Sequence, residues 1–153
     1  ICSVSYCISP AFCDYFKHWK HNGYWFFDSP RVIQEVARAE SVDLSDHKVF
    51  YYEVYEQQFH EVAKRWQRFE ADKHLETNIQ PPGQKELLGF DVVNFSVQTS
   101  PECSPLSCNS LSESIAVNQH CLLASFAEAR QLLEAGAFDD SEPGPYRVFA
   151  VYT

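Results

Sequence analysis

Residues 146–152 have the sequence YRVFAVY, and this stretch decides the fold class that we predict for the chain. Aromatic and β-branched side chains occupy both of its alternating faces, which is typical of a strand that is buried on two sides. We therefore predict a central strand here. Two other runs have the same character, KVFYYEVY at 48–55 and FDVVNFSV at 90–97. We interpret the first as another inner strand and the second as a further strand of one sheet.

Shorter strands are predicted near the beginning of the sequence. SVSYCI at 3–8 alternates apolar and polar side chains, which favours a strand with one apolar face. YWFF at 24–27 is apolar throughout and favours a short buried strand. Together with the longer runs, these segments predict a mixed sheet of about five aromatic-rich strands.

Signals for helix starts mark several other segments. Ser-Pro pairs at 9–10 and 29–30 combine an N-cap residue with proline at the first helical position. Ser125 and Glu128 form the capping box of a later helix, and Gly136 is placed to end it. Each signal precedes an apolar stripe with helical spacing, so we predict a helix after each one.

Another helix is predicted from spacing alone, because apolar side chains recur at helical intervals at Phe59, Val62, Ala63, Trp66 and Phe69. This pattern puts Trp66 on the core side. The patterns together predict about four helices, and they run through the chain without a linker. We therefore expect residues 1–153 to form a single-domain α+β (or α/β) sandwich.

The charge balance bears on the choice of partner. The chain has a formal net charge of −9, and residues 76–153 hold three Lys/Arg against ten Asp/Glu. An acidic surface repels phosphate backbones and anionic lipids, so we expect neither a nucleic-acid nor a membrane partner. It suits a basic protein partner better, although acidity could simply keep the protein soluble. No apolar run approaches the roughly 20 residues that a membrane-spanning helix needs.

Six cysteines in 153 residues are too few for a disulfide scaffold. We therefore expect reduced thiols and a cytoplasmic protein. Because the sequence begins at Ile1 and contains no Met, a removed signal peptide stays an open alternative.

The stretch SPECSPLSCNSLSES at 100–114 is the most unusual in the chain. Cys103, Cys108, His120 and Cys121 have the residue types of a zinc site, although the spacing departs from the usual knuckle. A thiolate activated by His120 is an alternative that would make the protein an enzyme. We favour thiols in an ordered surface loop, with no cofactor.

We further predict that this loop forms one wall of a binding face, with Glu102 and Asn109 as polar contacts. Asp14, His18 and His21 fall on one side of the first predicted helix and could bind a divalent metal, but a solvated face is the simpler interpretation.

No motif completes a catalytic set. The sequence therefore favours a small acidic soluble protein that acts as a protein-binding or regulatory domain of the inhibitor or immunity kind. The alternative is a cysteine- or metal-dependent enzyme that uses the region of Cys103, Cys108, His120 and Cys121.

Overall fold

The structure is a computed structural model that describes residues 27, 29–69, 79–95 and 103–153. Within these ranges, four antiparallel strands form one sheet: β1 (Tyr51–His60), β2 (Arg65–Arg68), β3 (Leu87–Asn94) and β4 (Tyr146–Tyr152). The same ranges contain three α-helices and a 3-10 helix: α1 (Pro30–Ala39), α2 (Pro105–Cys108), the 3-10 helix (Leu111–Glu113) and α3 (Phe126–Glu134).

The strand order β2-β1-β4-β3 confirms that YRVFAVY is an inner strand, since β4 lies between β1 and β3. β1 is also an inner strand, as predicted, although it begins later than the 48–55 run and continues to His60. The all-antiparallel pairing makes the described fold α+β. It corrects the expected mixed sheet, because every described pairing is antiparallel, and the described residues form four strands and three α-helices where about five and about four were expected.

Several predicted elements cannot be compared with the structure. The strand at 3–8, the helix after Ser9-Pro10 and most of the strand at 24–27 lie outside the described residues.

Two helix starts are confirmed. The Ser29 hydroxyl accepts the Val32 amide at the start of α1, with Pro30 as the first helical residue. At α3, the Ser125 hydroxyl accepts the Glu128 amide at 3.1 Å. The Glu128 carboxylate returns to the amide of Ala124, one residue before the N-cap.

The predicted end of α3 at Gly136 is also confirmed. Gly136 adopts a left-handed conformation with φ of 79°. Its amide donates to the Leu133 carbonyl, and the next amide, of Ala137, donates to the Leu132 carbonyl. This pair of bonds is the Schellman arrangement, in which glycine is favoured because it has no Cβ.

The helix predicted over 59–69 is wrong. Phe59 and Trp66 are cross-strand partners in a β1–β2 hairpin, so their separation of seven residues reflects pairing across a turn. Lys64 takes up the left-handed conformation of that turn with φ of 47°. Val62, which the helical stripe placed in the core, is 91% exposed.

The stretch 100–114 contains more regular structure than its serines and prolines suggested, since α2 and the 3-10 helix lie within it. It is also only partly a surface loop. Cys103 and Ser104 are buried, and Leu106 belongs to the main core. The Cys103 amide donates to the Asn94 side chain, and the Asn94 amide donates to the Cys103 carbonyl, which fastens the stretch to the end of β3.

The two faces of the sheet differ in what covers them. We call the side that packs against α3 the helix face; the Tyr146, Val148 and Ala150 side chains of β4 lie there in the main core with Ala129 and Leu133 of α3. The intervening residues of β4 point to the opposite face, where Phe149 packs in a smaller cluster with Val93 of β3 and with Phe95, which follows β3.

The outer edge of β3 is covered by the segment that follows the 3-10 helix. Phe90 and Leu123 exchange backbone hydrogen bonds, and the Asn118 side chain donates to the Leu88 carbonyl. Close approach requires glycine at position 89, because a Cβ there would lie 2.7 Å from the Leu123 carbonyl oxygen. This edge is therefore not open for pairing with another strand along its centre.

Candidate functional site

A bulge in β1 shapes the helix face of the sheet. Between the pairs Val54–Phe149 and Gln58–Arg147, β1 advances four residues while β4 advances two. Tyr55 is the first of the extra residues. Bulges bend a strand and re-aim its side chains, and they are frequent next to functional sites.

Arg147 compensates for the bulge from the opposite face. A bulged residue loses ladder partners, and the Arg147 Nη2 donates to the Tyr55 carbonyl at 2.7 Å. The guanidinium carbon lies 3.6 Å from the centroid of the Phe69 ring and 5.4 Å from that of Phe95. Arg147 is 2% exposed, so it belongs to the interior and holds the bulge in place.

The Tyr55 ring, which lies within the bulge, stacks on Phe126, the first residue of α3. Tyr55 and Phe126 stack with centroids 4.1 Å apart and ring planes 24° apart. Trp66 lies 6.0 Å from Phe126 on the side of β2. Tyr55 is nevertheless 38% exposed, and Trp66 and Phe126 are only half-buried.

Two more rings extend this surface along β1 and β4. Tyr51 lies on the same side of β1 as Tyr55, and it pairs with Tyr152 in the ladder. The Tyr51 and Tyr152 centroids are 6.0 Å apart, and both residues are half-buried. We call these five rings the aromatic strip: Trp66, Phe126, Tyr55, Tyr152 and Tyr51.

A cation and a carboxylate accompany the strip at its Trp66 end. The Glu134 Oε1 accepts hydrogen bonds from the Trp66 indole at 2.9 Å and from the Arg130 Nε at 2.8 Å. The Arg130 guanidinium carbon lies 5.6 Å from the centroid of the Trp66 ring. Ring, carboxylate and cation therefore form one unit, which we call the tryptophan unit.

The other end of the strip repeats this arrangement with different residue types. Glu53 accepts a hydrogen bond from the Tyr152 hydroxyl at 2.9 Å. It also forms an ion pair with Lys85. The Lys85 Nζ lies 4.3 Å from the Tyr152 centroid and 5.2 Å from the Tyr51 centroid. We call this the tyrosine unit.

These contacts fix the charge of both units near neutral pH. The Lys85 hydrogen bond holds the pKa of Glu53 below its usual value, and the Arg130 hydrogen bond does the same for the pKa of Glu134. Burial and the bond to Glu53 raise the pKa of Tyr152 to about 12. The carboxylates are therefore ionised and the phenol is neutral, which suits cation binding.

The cysteines predicted for a site occupy different environments. Cys103 is buried beside Asn94, whereas Cys108 is exposed at the end of α2. His120 and Cys121 lie in a tight turn that Asn118 organises, since its side-chain oxygen accepts the His120 amide at 2.9 Å. His120 is exposed and Cys121 is half-buried.

Among the described residues, no group of three or more His, Cys, Asp or Glu is placed to hold a metal ion. The structure thus does not bring Cys103, Cys108, His120 and Cys121 together as ligands. It adds nothing to the enzymatic alternative. The other metal candidates, Asp14, His18 and His21, lie outside the described residues.

Of the two predicted binding contacts, the structure describes only Asn109. Asn109 is exposed and ends α2, while Glu102 lies outside the described residues. The wall that the sequence predicts at 100–114 stays a prediction.

The sequence does not predict the aromatic strip. Part of the signal was visible, because Tyr51, Glu53 and Tyr55 alternate along a predicted strand. Their contact with Trp66 and Phe126 depends on the hairpin and on the bulge, and neither has a distinctive local sequence pattern.

No helix among the described residues is long and apolar enough to cross a membrane. No protein-family model matches the chain, and no curated protein or solved structure shows significant similarity to it. The chemistry of the candidate site therefore has to follow from its own geometry.

Proposed function

We propose that the chain is a protein-binding domain of the inhibitor or regulatory kind, and that it takes a basic partner protein on the aromatic strip. The observation that carries the proposal is the Tyr55–Phe126 stack, in which the Tyr55 ring is still 38% exposed. Trp, Tyr and Arg are the residue types that most often contribute large parts of a binding energy. The strip and the tryptophan unit contain all three.

Charge favours a basic partner. The carboxylates nearest the strip are paired with cations of the same chain, Glu53 with Lys85, Glu134 with Arg130 and Glu56 with Arg68, and their side chains are 39%, 46% and 83% exposed. Because these pairs are neutral overall, the negative potential comes from the net charge of −9 of the whole chain. Complementary potentials speed the encounter of two proteins and orient them, so a basic surface would be steered towards the strip.

The test begins with the partner that the native chain retains from an extract of its own cells, which is then purified. Calorimetry compares its Kd for the native chain and for Tyr55→Ala. We expect Tyr55→Ala to lose about 2 kcal/mol of binding energy, as for other central aromatic contacts. That loss is roughly a 30-fold increase in Kd.

Val62→Ala is the matched control, because it also removes exposed apolar surface but lies in the β1–β2 turn, where Val62 is 91% exposed. It should leave the Kd unchanged. Raising the salt concentration should weaken the native complex, since surface charge pairs are screened. A partner that binds Tyr55→Ala as tightly as the native chain would contradict the proposal, and so would a complex that salt does not weaken.

A further inference from the structure

We infer that Tyr51, Glu53 and Tyr152 form a preformed cage for a lysine ammonium group, and that Lys85 occupies the cage as an internal ligand until a lysine of a partner replaces it. The identity of the external ligand rests on the proposed function. The existence of the cage does not, because it follows from the geometry of the tyrosine unit alone.

The cage has two aromatic walls and one anionic wall. Its rings are tilted by 41° with centroids 6.0 Å apart, and a single cation lies over both of them. The Lys85 Nζ lies within cation–π range of both rings, and Glu53 forms the third contact. The occupant shows directly which ligand chemistry the cage accepts.

The walls are held independently of the occupant. Tyr51 and Tyr152 are ladder partners of two inner strands, and Glu53 lies opposite Ala150 in the same ladder. The Tyr152 hydroxyl fixes the Glu53 carboxylate at 2.9 Å. Removing Lys85 should therefore leave an ordered cage rather than a collapsed one.

Lys85, in contrast, lies on a segment without regular secondary structure, so its side chain can move out of the cage. Residues 79–86 contain no helix or strand, and the Lys85 side chain is 29% exposed. The neighbouring residue is secured separately, because Glu86 and Thr153 exchange two backbone hydrogen bonds of 3.0 Å. Lys85 can thus leave the cage while the backbone on its C-terminal side keeps its place on the sheet.

The carboxylate also sets the kind of cation. A primary ammonium group carries three N–H donors, one of which can bond to Glu53, whereas a quaternary ammonium group has none. We therefore expect the cage to prefer an unmodified lysine side chain over a fully methylated one. Butylammonium reproduces the lysine side chain, and tetramethylammonium reproduces the methylated head group.

The test measures binding of these two cations by the chemical shifts of the tyrosine rings, assigned with Tyr51→Phe and Tyr152→Phe. Lys85→Ala should bind butylammonium at concentrations on the order of 10 mM, about tenfold more tightly than the native chain, where Lys85 competes at high effective concentration. Tetramethylammonium should bind Lys85→Ala more weakly than butylammonium. Adding Glu53→Gln should abolish the preference.

Lys48→Ala is the matched control, because it removes an exposed lysine and the same charge elsewhere. It should bind butylammonium as weakly as the native chain. Lys85→Gln, which keeps most of the side-chain stem, serves if Lys85→Ala loses structure. Equal butylammonium binding by the native chain and both Lys85 variants would overturn the inference.

The two proposals fail in different ways. If Lys85→Ala binds butylammonium and no partner depends on Tyr55, the cage stands and the proposed function does not. If a basic partner depends on Tyr55 while the Lys85 variants do not bind butylammonium, the function stands and the cage does not.

Discussion

Both faces of the sheet have a cation lying over aromatic rings, but the cations differ in their exposure to water. All three basic residues after position 75 lie over aromatic rings: Lys85 over Tyr152, Arg130 over Trp66 and Arg147 over Phe69. On the opposite face, Arg147 is 2% exposed. On the helix face, the side chains of Lys85 and Arg130 are 29% and 50% exposed.

Burial decides what each contact does. A buried guanidinium with two ring neighbours and a backbone acceptor cannot be removed without leaving space and an altered bulge, so Arg147 contributes mainly to stability. An exposed ion pair over a ring contributes little to stability because water and salt screen it. Its rings and carboxylate can instead be used by another molecule.

The largest effect that we predict breaks the buried contact. Arg147→Ala should lower the free energy of unfolding by about 3–5 kcal/mol, comparable to other truncations of large buried side chains. Arg147→Lys keeps the charge but loses the planar guanidinium, so it should fall between Arg147→Ala and the native chain. Urea denaturation, followed by circular dichroism, measures both.

The matched control for this prediction lies on the helix face. Arg130→Ala removes the same residue type from above a ring but should cost less than about 1 kcal/mol. A loss for Arg130→Ala as large as that for Arg147→Ala would show that burial does not separate the two faces.

A smaller loss of stability is predicted for a substitution on the opposite face, where Asp91 lies buried and pairs with Phe149 in the ladder. The Ser104 hydroxyl donates to Asp91 at 2.6 Å. Ser104→Ala removes this donor and should cost about 1–3 kcal/mol, as expected when a buried acceptor loses a hydrogen bond. The neighbouring Ser107→Ala is the control, because Ser107 is exposed.

The loss in Ser104→Ala should also depend on pH. Burial raises the pKa of Asp91, and the Ser104 bond opposes that rise. A group with a raised pKa in the folded state contributes most stability below its usual pKa, and this contribution is lost as the pH rises through the folded value. Without Ser104 the pKa rises further, so unfolding measurements should show a larger deficit at pH 7 than at pH 4. A deficit that is smaller at pH 7 would contradict this account of Asp91.

The sequence predicted those elements whose signals are local. YRVFAVY is apolar on both faces, and β4 covers those same residues in the interior of the sheet. Ser29-Pro30 and the Ser125–Glu128 box start helices because a side-chain oxygen can reach an amide three residues later. Such bonds need no information from elsewhere in the chain.

Where distant parts of the chain meet, the same rules failed. Ser104-Pro105 repeats the pair found at Ser29-Pro30 and does precede a helix, α2, but no local rule predicts that its hydroxyl bonds to Asp91 instead of capping that helix. The spacing of Phe59 and Trp66 fits a hairpin as well as it fits a helix. The turn at Lys64 decides between the two. A serine or an aromatic stripe does not reveal which partner tertiary structure will supply.

The candidate site also depends on contacts between distant parts of the chain. Glu102 and Asn109 are predicted contacts because the composition of 100–114 is unusual. The aromatic strip, in contrast, needs β1, β2, β4 and α3 to be brought together. Only the alternation of Tyr51, Glu53 and Tyr55 was available from the sequence.

The central claim is that the helix face of the sheet, rather than the 103–114 segment, is the contact surface. Hydroxyl-radical footprinting of the native chain, alone and with its purified partner, tests this most directly. We expect Tyr51, Tyr55 and Trp66 to react in the isolated chain and to be protected in the complex, while the exposed Cys108 keeps its reactivity. Protection of Cys108 with unchanged reactivity of the three rings would contradict the account.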